Sequence, residues 1–116
     1  MTLQECYAAF GGDYEGVVAR LRSEKTVKKF ALKFLNDKSY DLLCSSLETG
    51  DYGEAFRASH TLKGLCQNLG FSRLLESSTR LTEALRYGWS AEAAGLIDKV
   101  ADDYRQTARA IQQLDE

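Results

Sequence analysis

Residues 55–70 read AFRASHTLKGLCQNLG, and the phase of this stretch governs the reading of the whole chain. Ala55, Ser59, Leu62, Cys66 and Leu69 recur at steps of four, three, four and three, which places them on one face of a helix. At about 100° per residue, His60 projects some 100–180° from that face, so the spacing turns it away from the core. It is the only histidine in the chain. Phe56, Lys63 and Gln67 fall within about 60° of it at whole-turn spacings, and Gly64 lies beside it. An outward histidine, flanked by a cation and by a residue without a side chain, sets the functional question.

Composition excludes several answers. Hydrophobic residues make up 44% of the 116, enough for one core, and charged residues 28%, enough to solvate its surface. A single domain over residues 1–116 is expected. The formal charge of −2 carries no electrostatic footprint for nucleic acid. No apolar run approaches the roughly 18 residues of a membrane span, so no membrane insertion is expected. The N-terminus, MTLQECYAAF, lacks the basic and apolar regions of a secretory leader. The expected location is cytoplasmic, either as a free-standing chain or as the soluble end of a larger protein. Cys6, Cys44 and Cys66 are far apart and form no CxxC or Cys/His spacing, which argues against a zinc site. Each falls on an apolar stripe and reads as a reduced thiol acting as a small hydrophobe.

The chain has no proline and no alternating, β-branched run, so an all-α fold is expected. Thr2 and Glu5 have the spacing of a capping box before a short helix with Leu3, Cys6, Tyr7 and Phe10 inward, stopped by Gly11-Gly12. Asp13 caps a second short helix, Tyr14 to about Arg22, with Val17, Val18 and Leu21 inward. Ser23 caps a third, whose face is Val27, Phe30, Ala31, Phe34 and Leu35. Its opposite side is basic: Arg22, Lys25, Lys29 and Lys33 read as the solvated back of the helix, with a patch for an acidic partner as the alternative.

Residues 36–39 are a polar break. A fourth helix runs to about Glu48 with Tyr40, Leu43, Cys44 and Leu47 inward, and Gly50 suits its left-handed C-terminal position. Asp51 and Glu54 predict a capping box for the helix that carries His60, and Gly70 ends that helix. A helix from about Ser72 to Tyr87 carries Leu74, Leu75, Ser78, Leu81 and Leu85. Ser90 is expected to cap the last, with Ala93, Ile97, Val100, Tyr104, Ala108, Ile111 and Leu114 inward. Links of about two to four residues make sequential helices antiparallel neighbours. The expected architecture is an antiparallel up-down four-helix bundle over about 38–115, with additional short N-terminal helices in 1–37 packed on one end or side. One apolar face per helix suffices to close it, so a monomer is expected.

The chemistry around His60 is equally restricted. No second histidine, Ser/Asp pair or paired carboxylates sit at suggestive spacing, the face lacks the ligands for a metal, and Gly11-Gly12 is only a turn. No cofactor of the chain's own is expected. Glycine in mid-helix costs roughly 1 kcal/mol against alanine, so Gly64 reads as a flat place where a partner's backbone comes close. A solvent-exposed imidazole is mostly neutral and nucleophilic near pH 7. A phosphoryl group carried on it would lie within reach of Lys63. Phosphoryl transfer is mainly positioning and charge stabilisation, so a helix surface suffices if the partner brings the rest. Phe56 reads either as part of an apolar contact patch or as half-buried against the N-terminal helices.

His60-Thr61-Leu62-Lys63-Gly64, followed by Leu69-Gly70 and preceded by Gly50-Asp51 with Ala55, Ala58 and Ser59, resembles the histidine-containing phosphotransfer (HPt) domains of two-component phosphorelays. The pattern H-x-L-K-G, with a glycine ten residues after the histidine, is met in full. The resemblance implies that His60 is the phosphoacceptor, taking a phosphoryl group from a receiver-domain aspartyl phosphate and passing it to another receiver. It implies that Lys63 stabilises the phosphoryl charge, that Gly64 admits the receiver, and that the Mg²⁺ belongs to the receiver. Response-regulator receiver domains and a hybrid sensor histidine kinase are the implied partners. The domain itself is then a phosphate carrier and not an enzyme. From spacing, Gln67 is a candidate hydrogen-bond donor to the imidazole or the phosphate, and Arg86, on the next helix, a lesser one. The alternatives are an interaction module of the same fold without phosphotransfer and a kinase-attached domain phosphorylated directly by an ATP-binding domain.

Overall fold

The computed structural model describes residues 1–114, and among these it is all-α, with seven helices and no strand. They are α1 (Leu3–Phe10), α2 (Tyr14–Leu21), α3 (Glu24–Phe34), α4 (Ser39–Thr49), α5 (Tyr52–Leu69), α6 (Ser72–Ala84) and α7 (Ala91–Gln112). The expected limit of the bundle at about residue 115 lies outside the described residues.

Local chemistry sets most of the helix ends. The Thr2–Glu5 capping box is complete, and Asp13, Ser23 and Asp51 each accept the amide three residues on. Gly11, Gly50 and Gly70 end α1, α4 and α5 at φ of 70–76°, which only glycine adopts freely. Three ends differ from the sequence reading. Before α5 the box is half made: the Asp51 amide already donates to the Ser46 carbonyl, and Glu54 pairs with Arg57 at 2.7 Å. Helix α6 stops at Ala84 instead of Tyr87, so its link to α7 is longer than two to four residues, with Gly88 at φ 106°. Ser90 stands at the cap of α7, but its hydroxyl donates back to the Ala84 carbonyl at 3.0 Å, tying that link to α6.

In the bundle α4, α5, α6 and α7 each pack on the next. The entire predicted stripe of α5 is buried, with Ala55, Ser59, Leu62 and Cys66 at 0% exposure. Small residues meet where α5 packs on α6: Ser59 faces Ser78 and Thr82. The hydroxyls are satisfied in series, because Thr82 donates to the Ser78 carbonyl at 2.7 Å and so receives the Ser59 hydroxyl, also at 2.7 Å. Between α4 and α7, the rings of Tyr40 and Tyr104 stack at 3.9 Å.

The N-terminal third covers the C-terminal end of α5. The rings of Tyr7, Phe10, Phe34 and Phe71 pack together at 4.8–5.9 Å and join α1, α3 and the α5–α6 link. On α3, Phe30 is a correction: expected inward, it is 40% exposed, with the Lys33 and Lys29 ammonium groups 5.5 and 6.0 Å from its ring centre. Helix α3 meets α5 and α7 along its Val27–Ala31–Phe34 line, and Phe30 stands at the edge of that contact. On α7 the buried set also includes Asp103 and Thr107, which an apolar stripe does not reveal. Asp103 is held by Lys99 at 2.6 Å, and Thr107 donates to the Asp103 carbonyl. Cys6 and Cys66 are buried free thiols and Cys44 is half-buried.

Candidate functional site

His60 sits near the middle of α5 and is exposed, while Ser59 before it and Leu62 after it are fully buried. The helix is fixed from both sides, so the histidine is presented by a rigid element. At its C-terminal end every carbonyl that the helix leaves open finds a partner. The amides of Gly70 and Phe71 donate to Cys66, Arg20 donates to Gln67 and Asn68 at 3.2 Å each, and the Tyr7 hydroxyl donates to Leu69 at 2.6 Å. Beyond the helix, the Asp13 amide donates to the Gly70 carbonyl at 2.8 Å. The inner face is held by the Ser59–Thr82–Ser78 chain described above.

Around His60 the structure gathers groups from α5 and from the C-terminal end of α6 with the link that follows it. On α5, the Phe56 ring lies 6.3 Å from the imidazole with the planes 24° apart. From the link just after α6, the Arg86 guanidinium stands 5.4 Å from the centre of the same Phe56 ring. Phe56 is thus half-buried between the imidazole and a cation. Arg86 is held in place by Glu83, at 2.6 Å through one nitrogen and 3.1 Å through another. The Arg86 hydrogen bond, followed by the charges of Arg86 and Lys63, holds the Glu83 carboxyl below the usual carboxylate range. Lys63 therefore shares with Arg86 the neighbourhood of one carboxylate.

Lys63 and Gly64 are half-buried and Gln67 is exposed. A methyl group built at Gly64 meets nothing within 4 Å. No internal contact requires the glycine; what it leaves open is the outer surface beside His60. Gln67 lies farther along the same strip. Arg86, the lesser candidate in the sequence, proves to be part of the cluster. Glu83 and its pairing were missed, though a Glu/Arg pair three residues apart on the outer side of the neighbouring helix was there to be read. Tyr52, Tyr87 and Trp89 were also missed: Tyr52 is half-buried against the Trp89 ring at 5.4 Å, and Tyr87 is fully exposed. Among the described residues no three His, Cys, Asp or Glu side chains come together as metal ligands, and no helix is long and apolar enough to cross a membrane.

The family model described as "Hpt domain" matches residues 36–116, well over half of the chain. The chain belongs to the Hpt domain family. This is a family of phosphotransfer carriers in two-component systems, whose members work with receiver domains and kinases. The match begins just before α4, so the four bundle helices and the His60 strip lie within it and α1–α3 precede it. No curated protein and no solved structure matches the chain.

Proposed function

We propose that His60 is the phosphoacceptor of this Hpt domain and that the chain relays a phosphoryl group between receiver domains. The observation that carries this reading is the exposed imidazole on the one face of α5 that the fold leaves free, beside a half-buried lysine and a glycine whose outer side is open. In the proposed step the Nε2 lone pair of His60 attacks the phosphorus of a receiver's aspartyl phosphate in line. The P–N bond forms as the acyl P–O bond breaks, the aspartate leaves as carboxylate, and the imidazole gives up its Nδ1 proton to solvent. Transfer to a second receiver reverses these steps. The Mg²⁺ that this chemistry uses belongs to the receiver.

The remaining residues take roles in stabilisation and approach. Lys63 turns to the phosphoryl oxygens, where opposite charge is worth more once the receiver excludes water. Arg86 supplies a second positive charge from the link after α6, held there by Glu83 in the unphosphorylated state. Gly64 lets the receiver's loops reach van der Waals contact with the helix backbone. Gln67, about 10 Å farther along the axis by its seven-residue offset, is assigned a hydrogen bond at the outer edge of the same face. The domain works as a monomer in the cytoplasm, with a hybrid sensor kinase or a separate receiver as donor.

The test is incubation of the purified chain with phosphorylated receivers from the same genome. Acid-labile, base-stable label on His60 is expected; absence of label with every cognate receiver would sink the reading. Label obtained instead with an isolated kinase ATP-binding domain, and no receiver, would place the chain as a kinase-attached acceptor.

A further inference from the structure

The N-terminal end of α5 and the link after α6 carry aromatic surface that the core does not use. Tyr87 is 96% exposed and Trp89 49%. The Trp89 ring lies 5.4 Å from that of Tyr52, Tyr52 stands one turn before Phe56, and Phe56 meets both the His60 imidazole and the Arg86 guanidinium. The rings thus run from the α6–α7 link to the histidine, with Arg86 beside them. The link needs neither exposed ring for its shape, since Ser90 and Gly88 anchor it to α6 through hydrogen bonds to Ala84 and Leu85. Tyr, Trp and Arg together are the composition of interface hot spots, where large amphipathic side chains are desolvated by a partner.

We propose that this aromatic end of the His60 face carries the affinity for the receiver domain. The inference rests on the phosphocarrier reading. The receiver lies over Tyr52, Phe56, Tyr87 and Trp89 while its phosphoaspartate reaches His60. Charge favours this occupant: the cations Lys63 and Arg86 flank the histidine, and a receiver presents an acidic phosphorylation pocket. A second apolar surface exists, a groove of about 450 Å³ lined by Leu21, Phe30, Phe34 and Leu65 with Arg20 and Lys33 at its rim. It is less suited, because Leu65 is five residues from His60 and so about 140° around α5, whereas the aromatic surface reaches the imidazole through the Phe56 ring at 6.3 Å.

The test separates docking from chemistry. The full chain and its Tyr87→Ala and Trp89→Ala variants are labelled by phosphoramidate, a small donor that needs no docking surface, and by a phosphorylated cognate receiver. Unchanged labelling by phosphoramidate, with the KM for the receiver raised about tenfold in each variant, is expected. Tyr87 stands in solvent, so its variant tests docking without disturbing the fold. Trp89 is the only tryptophan, and its emission should shift saturably when the receiver is added to the His60→Gln chain. Normal receiver KM in both variants would overturn the proposal, as would a KM effect found in Phe30→Ala and absent from these two. Failure of the unsubstituted chain to take label from either donor would overturn the carrier reading, and this inference with it.

Discussion

The two faces of α5 follow opposite rules within one helix. The inner face is small, closed and satisfied: Ala55, Ser59, Leu62 and Cys66 are wholly buried, and the Ser59 hydroxyl has its partner on α6. The outer face is uneven and open, with an exposed imidazole, a half-buried cation, and a glycine that no internal contact requires. Stability is invested on one side and chemistry on the other, so a substitution on either face should move one property and leave the other in place. A four-helix bundle permits this, because each helix needs only one stripe to close the core.

His60→Gln tests the independence of the two faces most severely. Complete loss of phosphoryl acceptance is expected, with the helical circular dichroism and melting temperature unchanged; unfolding would show that the outer face also supports the core. Leu62→Ala, two residues away, should do the reverse. A fully buried leucine costs about 2–5 kcal/mol on truncation, read by urea denaturation, while the folded fraction still accepts phosphate at an ordinary rate. Lys63→Ala should slow transfer about tenfold or shorten the lifetime of the phosphohistidine by a similar factor, without preventing acceptance and with little change in stability. The smallest effect separates the faces within a single residue. Gly64→Ala should raise stability by up to about 1 kcal/mol, since the methyl meets nothing, and yet weaken transfer from a receiver. If it lowers stability, the glycine belongs to the packing after all.

Two buried thiols report on the closed side of the fold, Cys66 on α5 and Cys6 on α1. Burial pushes the Cys6 thiol up to about 11, and Cys66 is raised further in the same direction by burial. At pH 8 both should resist alkylation in the folded chain and react once it is unfolded, since only the thiolate is nucleophilic. Rapid modification of the folded chain would show that the inner face opens.

Much of this was legible in the residues. Thr2 with Glu5, and Gly50 and Gly70 after their helices, mark ends through contacts no more than a few residues long, and those ends stand where the sequence places them. The phase of α5 was equally plain, because five buried residues recur at one-turn steps. The misreadings have a common physical origin. Phe30 fits the helical period but stands where α3 runs out of neighbours, and apolar periodicity does not show how wide a helix contact is. Asp103 and Thr107 are polar yet buried, their hydrogen bonds made within α7, so a search for apolar stripes passes over them. Glu54 and Ser90 have the right identity for caps, but each found another partner that the local pattern does not name.

The helices, the inward stripe of α5 and the outward direction of His60 with Lys63 and Gly64 around it follow from the order of residues alone. These depend on interactions and angles within one or two turns, and the order of residues encodes them directly. Only the tertiary structure decided what surrounds that histidine and what holds its helix. Arg86 and Glu83 reach the site because α6 packs against α5, with Ser59 against Ser78 and Thr82 between them. Tyr7 and Arg20, from 47 to 62 residues away where they bond to α5, close its open carbonyl end, and Asp13 ties down the residue that follows it. Such contacts depend on how helices lie on one another, and no local period carries that information.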